Sequence, residues 1–165
     1  MISRALIFVA AFAALQLGWQ WLDGGSVHRW IIDQGVVAPA AAVGRLLTPG
    51  LGVHADGNHL RGTGGGLNIV NGCDGMETVF LLLAGFLVAP LAWRGRVIGM
   101  GLGIVVVYAL NQARILALFY SHLRNAQLFD LLHGVVTPVL MVLAIAAYYY
   151  VWLRRETAQP ARPAA

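Results

Sequence analysis

Cys73 is the single cysteine of the chain and stands in Asn71-Gly72-Cys73-Asp74-Gly75, just ahead of a long apolar run. Two later apolar segments carry Arg114 near the end of one and His133 just before the start of the other. A sulfur that attacks a carbonyl, a cation that holds an oxyanion and an imidazole that moves a proton are the parts of a thiol nucleophile site. Asn111 lies three residues before Arg114, on the same helical face, and offers an amide to the same polar pocket. Asp130 lies three residues before His133 and is placed to orient the imidazole. Gly72 and Gly75 flank the thiol and let a substrate backbone come close.

Each residue also has a plainer reading. A lone Cys can be small apolar filler. Arg114 can snorkel to lipid phosphate, and His133 can be an interfacial histidine bonded to backbone. The signal lies in their joint placement, which depends on the segments that carry them.

The chain has 165 residues, 59% hydrophobic and only 11% charged. A soluble domain of this length needs more polar surface, so the composition indicates an integral membrane protein. The net charge of +4 comes from arginine alone. The arginines are scattered at segment ends, which is a topology signal and not a nucleic-acid patch. One cysteine excludes an intramolecular disulfide framework and a cysteine-based zinc site. No histidine pair has helical i, i+4 spacing, so neither a metal nor a cofactor is expected.

A spanning helix needs about 20 largely apolar residues. Four segments qualify: 2–22, 75–93, 97–120 and 135–153. The first could imitate a signal peptide. Its small residues lie inside the apolar run, and Trp19 and Trp21 suit an interfacial anchor, so an uncleaved helix is expected. The positive-inside rule places Arg4, Arg94, Arg96, Arg154, Arg155 and Arg162 in the cytoplasm, with both termini. Cys73 then begins a downward helix, Arg114 ends an upward one, and His133 begins the next downward one. All three meet at the extracytoplasmic face.

The extracytoplasmic connection is long enough to need structure of its own. Residues 27–47 read as an amphipathic helix along the surface, with a fifth span as the alternative. Asp56-Gly57 predicts a hairpin turn, Gly62 to Gly66 a flexible joint, and Leu67 to Val70 a third strand leading into Cys73. Asn71 or Asp74 caps the following helix, the latter with Glu77 as a capping box, and the helix dipole favours a thiolate. Glycines 85, 99, 101 and 103 permit close helix approach, either to a docking helix or within the protein. Residues 1–156 form one membrane-embedded domain, followed by a disordered cytoplasmic tail, 157–165. The expected fold is an all-α integral membrane protein with a small hairpin region.

Asn71-Gly72-Cys73-Asp74-Gly75, Asn111-Gln112-Ala113-Arg114 and His133 resemble, in order and spacing, the exosortase/archaeosortase family of membrane cysteine transpeptidases. The resemblance covers roughly 53–153 and is greatest to the compact subfamilies, such as the H type. It implies substrates with a C-terminal sorting signal, composed of a short motif, a transmembrane helix and a basic cluster. It also implies an inner-membrane enzyme with Cys73, Arg114 and His133 as its catalytic set and an unassigned acceptor. Two other classes fit the composition: a non-enzymatic assembly or export subunit, and a small anion- or lipid-binding membrane protein.

Overall fold

The computed structural model describes residues 2–70 and 72–158. Asn71, one of the two expected caps, and the tail residues 159–165 with Arg162 lie outside the described residues. Five helical runs and one small sheet make up the rest. They are α1 (Ile2–Trp21), α2 (Ser26–Leu47), β1 (His54–Asp56), β2 (His59–Gly62), β3 (Gly65–Asn68), α3 (Met76–Val88), α4 (Trp93–Arg124) and α5 (Ala126–Ala158).

Three of these runs are long and apolar enough to cross a membrane: α2, α4 and α5. The four expected spans are matched only in part. The span expected at 75–93 is α3, which stops at Val88 ahead of Ala89-Pro90. A helix before proline loses its i+4 donor, and the residue preceding the ring is pushed to extended backbone. At 13 residues α3 measures about 20 Å, short of the roughly 30 Å hydrocarbon core. The spans expected at 97–120 and 135–153 are longer than read, because α4 and α5 both continue past the apolar stretch. His133, expected just before the last span, sits inside α5 in a π-helical turn, Leu132–Val136. Thr157 and Ala158, expected in the tail, close that helix, and Thr157 Oγ1 donates to the Leu153 carbonyl at 2.8 Å.

Helix α4 runs antiparallel to both α3 and α5, as side-chain pairings along its length show. Gly95, Gly99 and Gly103 recur every four residues on one face of α4. A Cβ at Gly99 would come within 2.5 Å of Phe86 and Trp152, and one at Gly103 within 2.6 Å of Leu82. The exposed carbonyls are used: Trp152 Nε1 donates to Gly95 O at 3.0 Å, and Tyr148 Oη to Gly99 O at 2.7 Å. Small residues that let backbones approach are a main source of helix association where lipid removes the hydrophobic drive. Gly99 and Gly103 are therefore internal packing positions. Gly101 meets nothing within 4 Å, and Gly85 faces Tyr149 at 3.6 Å.

Helix α2 is continuous through a π-helical stretch, Ile31–Val37. Its buried residues, among them Ile32, Val36, Ala40 and Gly44, form one stripe, while Trp30 and Leu46 are exposed. The amphipathic reading of 27–47 therefore describes its pattern, and its length also makes it a candidate span. Its contacts to α4 fall at Gln112, Leu116 and Tyr120, in the C-terminal half of that helix.

The sheet is an antiparallel meander in the order β1-β2-β3. Asp56 pairs with His59, so the turn is Gly57-Asn58, one residue later than expected. Only Gly57 has positive φ (56°), the type II′ pattern, where an Asp-Gly turn would need both positions positive. The expected joint at Gly62–Gly66 is a second tight hairpin, since Gly62 pairs with Gly65. The third strand is present, ending at Asn68. Val53, Leu60 and Ile69 are buried between the sheet, α2 and the end of α4. That packing holds the chain entering Cys73.

Candidate active site

The turn from Val70 to Gly75 is pinned from three sides. Cys73 N–H donates to Val70 O at 2.9 Å. Gly72 (φ 89°) and Gly75 (φ 83°) both take left-handed backbone. Asn111 Nδ2 donates to the Asp74 carbonyl at 2.9 Å, and Arg114 Nη1 donates to the Gly72 carbonyl at 3.1 Å. The two backbone carbonyls flanking Cys73 are thus held by two side chains one helical turn apart on α4. Asn111 binds the thiol loop, not Arg114, and among the described residues its buried Oδ1 has no partner.

The cap expected at Asp74 is displaced by one residue. Helix α3 starts at Met76 with Gly75 at its N-cap. Asp74 still serves the helix end, since its Oδ1 accepts from Met76 N–H at 3.1 Å. Glu77 is bonded by Gln16 Nε2 at 3.4 Å, not in a capping box. Trp19 Nε1 donates to Asp74 Oδ2 at 3.0 Å, so the last turn of α1 braces the loop. Burial raises the Asp74 carboxyl above the usual carboxylate range, against those two hydrogen bonds.

Gly75 has a second constraint. A Cβ there would lie 2.8 Å from Asn111 Cγ. Its small size admits Asn111. Gly72 has nothing within 4 Å in the corresponding direction and keeps the open approach. Gly75→Ala is expected to cost roughly 1–2 kcal/mol for the left-handed backbone, plus the displacement of Asn111. A fall of several degrees in Tm of the detergent-solubilised protein, with Gly72→Ala milder, checks this.

Arg114 lies ten residues before the end of α4, deeper than the expected two turns. It is only 9% exposed and does not snorkel. Its Nε donates to Thr137 Oγ1 at 3.0 Å, and Thr137 in turn donates to the Leu132 carbonyl at 2.8 Å. The guanidinium plane is therefore fixed between the thiol loop and α5.

His133 Nδ1 lies 3.6 Å from Cys73 Sγ, within the range of a sulfur hydrogen bond. The π turn around it re-aims the ring, as such turns do at functional sites. Phe129 stacks on the imidazole with centroids 5.4 Å apart and planes 5° apart. Asp130 is exposed and makes no hydrogen bond to His133, so the expected orienting carboxylate is replaced by an aromatic face. Three residues along a helix brought Asp130 near in sequence, but its short side chain points to the outside.

Cys73 is 5% exposed. Burial pushes its thiol above the usual value, and the positive charge of Arg114 only partly offsets this. The helix dipole that favours a thiolate is not the leading influence here: Cys73 precedes the helix by three residues, and burial raises its thiol. A cleft of about 280 Å³ opens beside it, bordered by Gly72, Gly75, Glu77, Thr78 and Arg114.

Cys73, Asn111, Arg114 and His133 are thus brought together, and Asp130 is not. Thr137, Phe129 and Trp19 were missed. Thr137 was findable as a polar residue four positions after His133. Trp19 carried no signal beyond an interfacial anchor.

The family model for transmembrane exosortases matches residues 34–150, well over half of the chain. The chain belongs to the transmembrane exosortase family. Exosortases are membrane cysteine peptidases or transpeptidases that act on sorting signals of exported proteins. The matched stretch of this exosortase includes every residue that holds the thiol loop except Trp19 and Gln16 of α1. No curated protein and no solved structure matches the chain.

Proposed function

We propose that Cys73 is the nucleophile of this exosortase and cuts C-terminal sorting signals composed of a motif, an apolar helix and a basic cluster. The 3.6 Å approach of Cys73 Sγ to His133 Nδ1, beside a guanidinium held by two hydrogen bonds, carries this reading. His133 takes the thiol proton as sulfur attacks the peptide carbonyl. Arg114 stabilises the oxyanion, in a site where low dielectric strengthens a fixed charge. The C–N bond breaks, the amine leaves with the proton from His133, and a thioester remains on Cys73. Water or an acceptor nucleophile then opens the thioester and restores the thiol. Asn111 holds the loop through Asp74 and acts as a positioning residue.

The site faces the extracytoplasmic side of the cytoplasmic membrane in this reading. Arg4, Arg94, Arg96, Arg154 and Arg155 lie at the opposite end of the antiparallel helices, which supports that orientation.

Thr137 positions Arg114. Thr137→Val removes one charged hydrogen bond worth about 1.5–3 kcal/mol. Turnover is expected to fall roughly ten- to hundredfold, and Thr137→Ser to restore it. Equal loss in the Ser and Val variants would assign Thr137 to packing.

The test of the whole reading is co-expression with a tagged exported protein from the same genome that ends in such a signal. A shortened product with the native enzyme and none with Cys73→Ala supports it. Equal shortening with both forms removes Cys73 as nucleophile and favours a non-enzymatic assembly subunit.

A further inference from the structure

The cleft beside Cys73 does not end at the site. A second hollow of about 220 Å³ lies between α1, α3 and α5 and is lined by Phe8, Gly85, Ala146 and Tyr149 among others. The two hollows share Leu81 and Val142, so they form one furrow. Its mouth carries Glu77, Thr78 and Arg114, and its lower part has no charged residue. From Pro138 to Tyr149, both lining residues on α5, the furrow follows eleven residues, or about 16 Å of helix.

We propose that this furrow seats the apolar helix of the sorting signal, with the scissile bond at its mouth beside Gly72 and Arg114. The inference rests on the nucleophile reading of Cys73. An occupant must present a peptide group at the polar mouth and continue into an apolar channel. A polypeptide in such surroundings must satisfy its own backbone, which makes the continuing segment a helix. Small residues at Gly85 and the exposed Ala146 admit a second helix at close range. A lipid chain or a second copy of the protein fills apolar space but brings no peptide bond to Arg114. One bank of the furrow, α1 with Phe8 and Phe12, lies outside the stretch matched by the family model.

The probe is an epitope-tagged exported protein ending in a motif, an apolar helix and an arginine cluster, co-expressed in the same membrane. Benzoylphenylalanine at position 8 of the Cys73→Ala form, in place of a ring that already lines the furrow, is expected to give a light-induced adduct with the tagged protein. The same group at position 147, exposed but outside the furrow, is expected to give none. Adducts confined to lipid or to a second copy overturn the proposal. With the native thiol, Ala146→Phe is expected to slow processing at least tenfold with the alkylation rate of Cys73 unchanged, and Ala147→Phe to process normally. Normal processing by Ala146→Phe overturns the furrow alone, provided Cys73→Ala abolishes cutting. Cutting by Cys73→Ala overturns the nucleophile reading instead.

Discussion

Cys73→Ser is expected to leave a sorting-signal substrate uncut, with a loss on the order of 10³-fold or more in turnover. The exchange alters one atom in a residue that is 5% exposed, so the surrounding packing is retained. What changes is nucleophilicity. A serine hydroxyl gives up its proton far less readily than a thiol, and His133 is a single base with no carboxylate behind it. Burial raises the thiol above its usual value more than Arg114 lowers it. In the proposed mechanism the proton then passes to His133 as substrate enters. Iodoacetamide labelling of Cys73 should accordingly keep rising at pH values where an ordinary exposed thiol has levelled off. Early levelling would show a thiolate already formed at rest. Gel-resolved processing of the tagged substrate measures the Ser variant directly.

Arg114→Lys is expected to reduce turnover by about 10²-fold or more, the scale of losing one oxyanion donor. Charge is kept, but the planar fork is lost. Arg114 reaches the Gly72 carbonyl with Nη1 and Thr137 Oγ1 with Nε, two partners on different elements. One ammonium cannot hold both and also face a developing oxyanion. Arg114→Met separates the two roles. It removes the charge that lowers the Cys73 thiol, so its labelling profile should move to higher pH than that of the Lys variant. Near-normal turnover by Arg114→Lys would reduce the guanidinium to a point charge and remove the oxyanion assignment.

The sequence by itself determined much of this exosortase. Composition required a membrane setting, and the arginine placement implied an orientation. The order Cys73, Asn111, Arg114, His133 identified the family, because those residue types are costly in apolar helices and rarely coincide by accident. Local rules read less well at ends and turns. The Asp56-Gly57 pair announced a hairpin, but pairing to Leu60 and Leu67 shifted its turn to Gly57-Asn58, since register follows the buried face. Asp74 was recognised as a polar group for the helix end, yet the cap position itself fell to Gly75.

Only the tertiary structure decided which partner each polar group takes. Asn111 was legible as a pocket amide, but its bond to the Asp74 carbonyl depends on how close α4 and the thiol loop lie at Gly75. Asp130 had the right spacing for His133 and still points away, while Phe129 stacks on the ring. Thr137 and Trp19 come from other elements and meet the site through packing alone. The balance at the thiol divides the same way: the helix dipole is read from the sequence, but desolvation is a property of everything that surrounds Cys73, and no local stretch of sequence contains it.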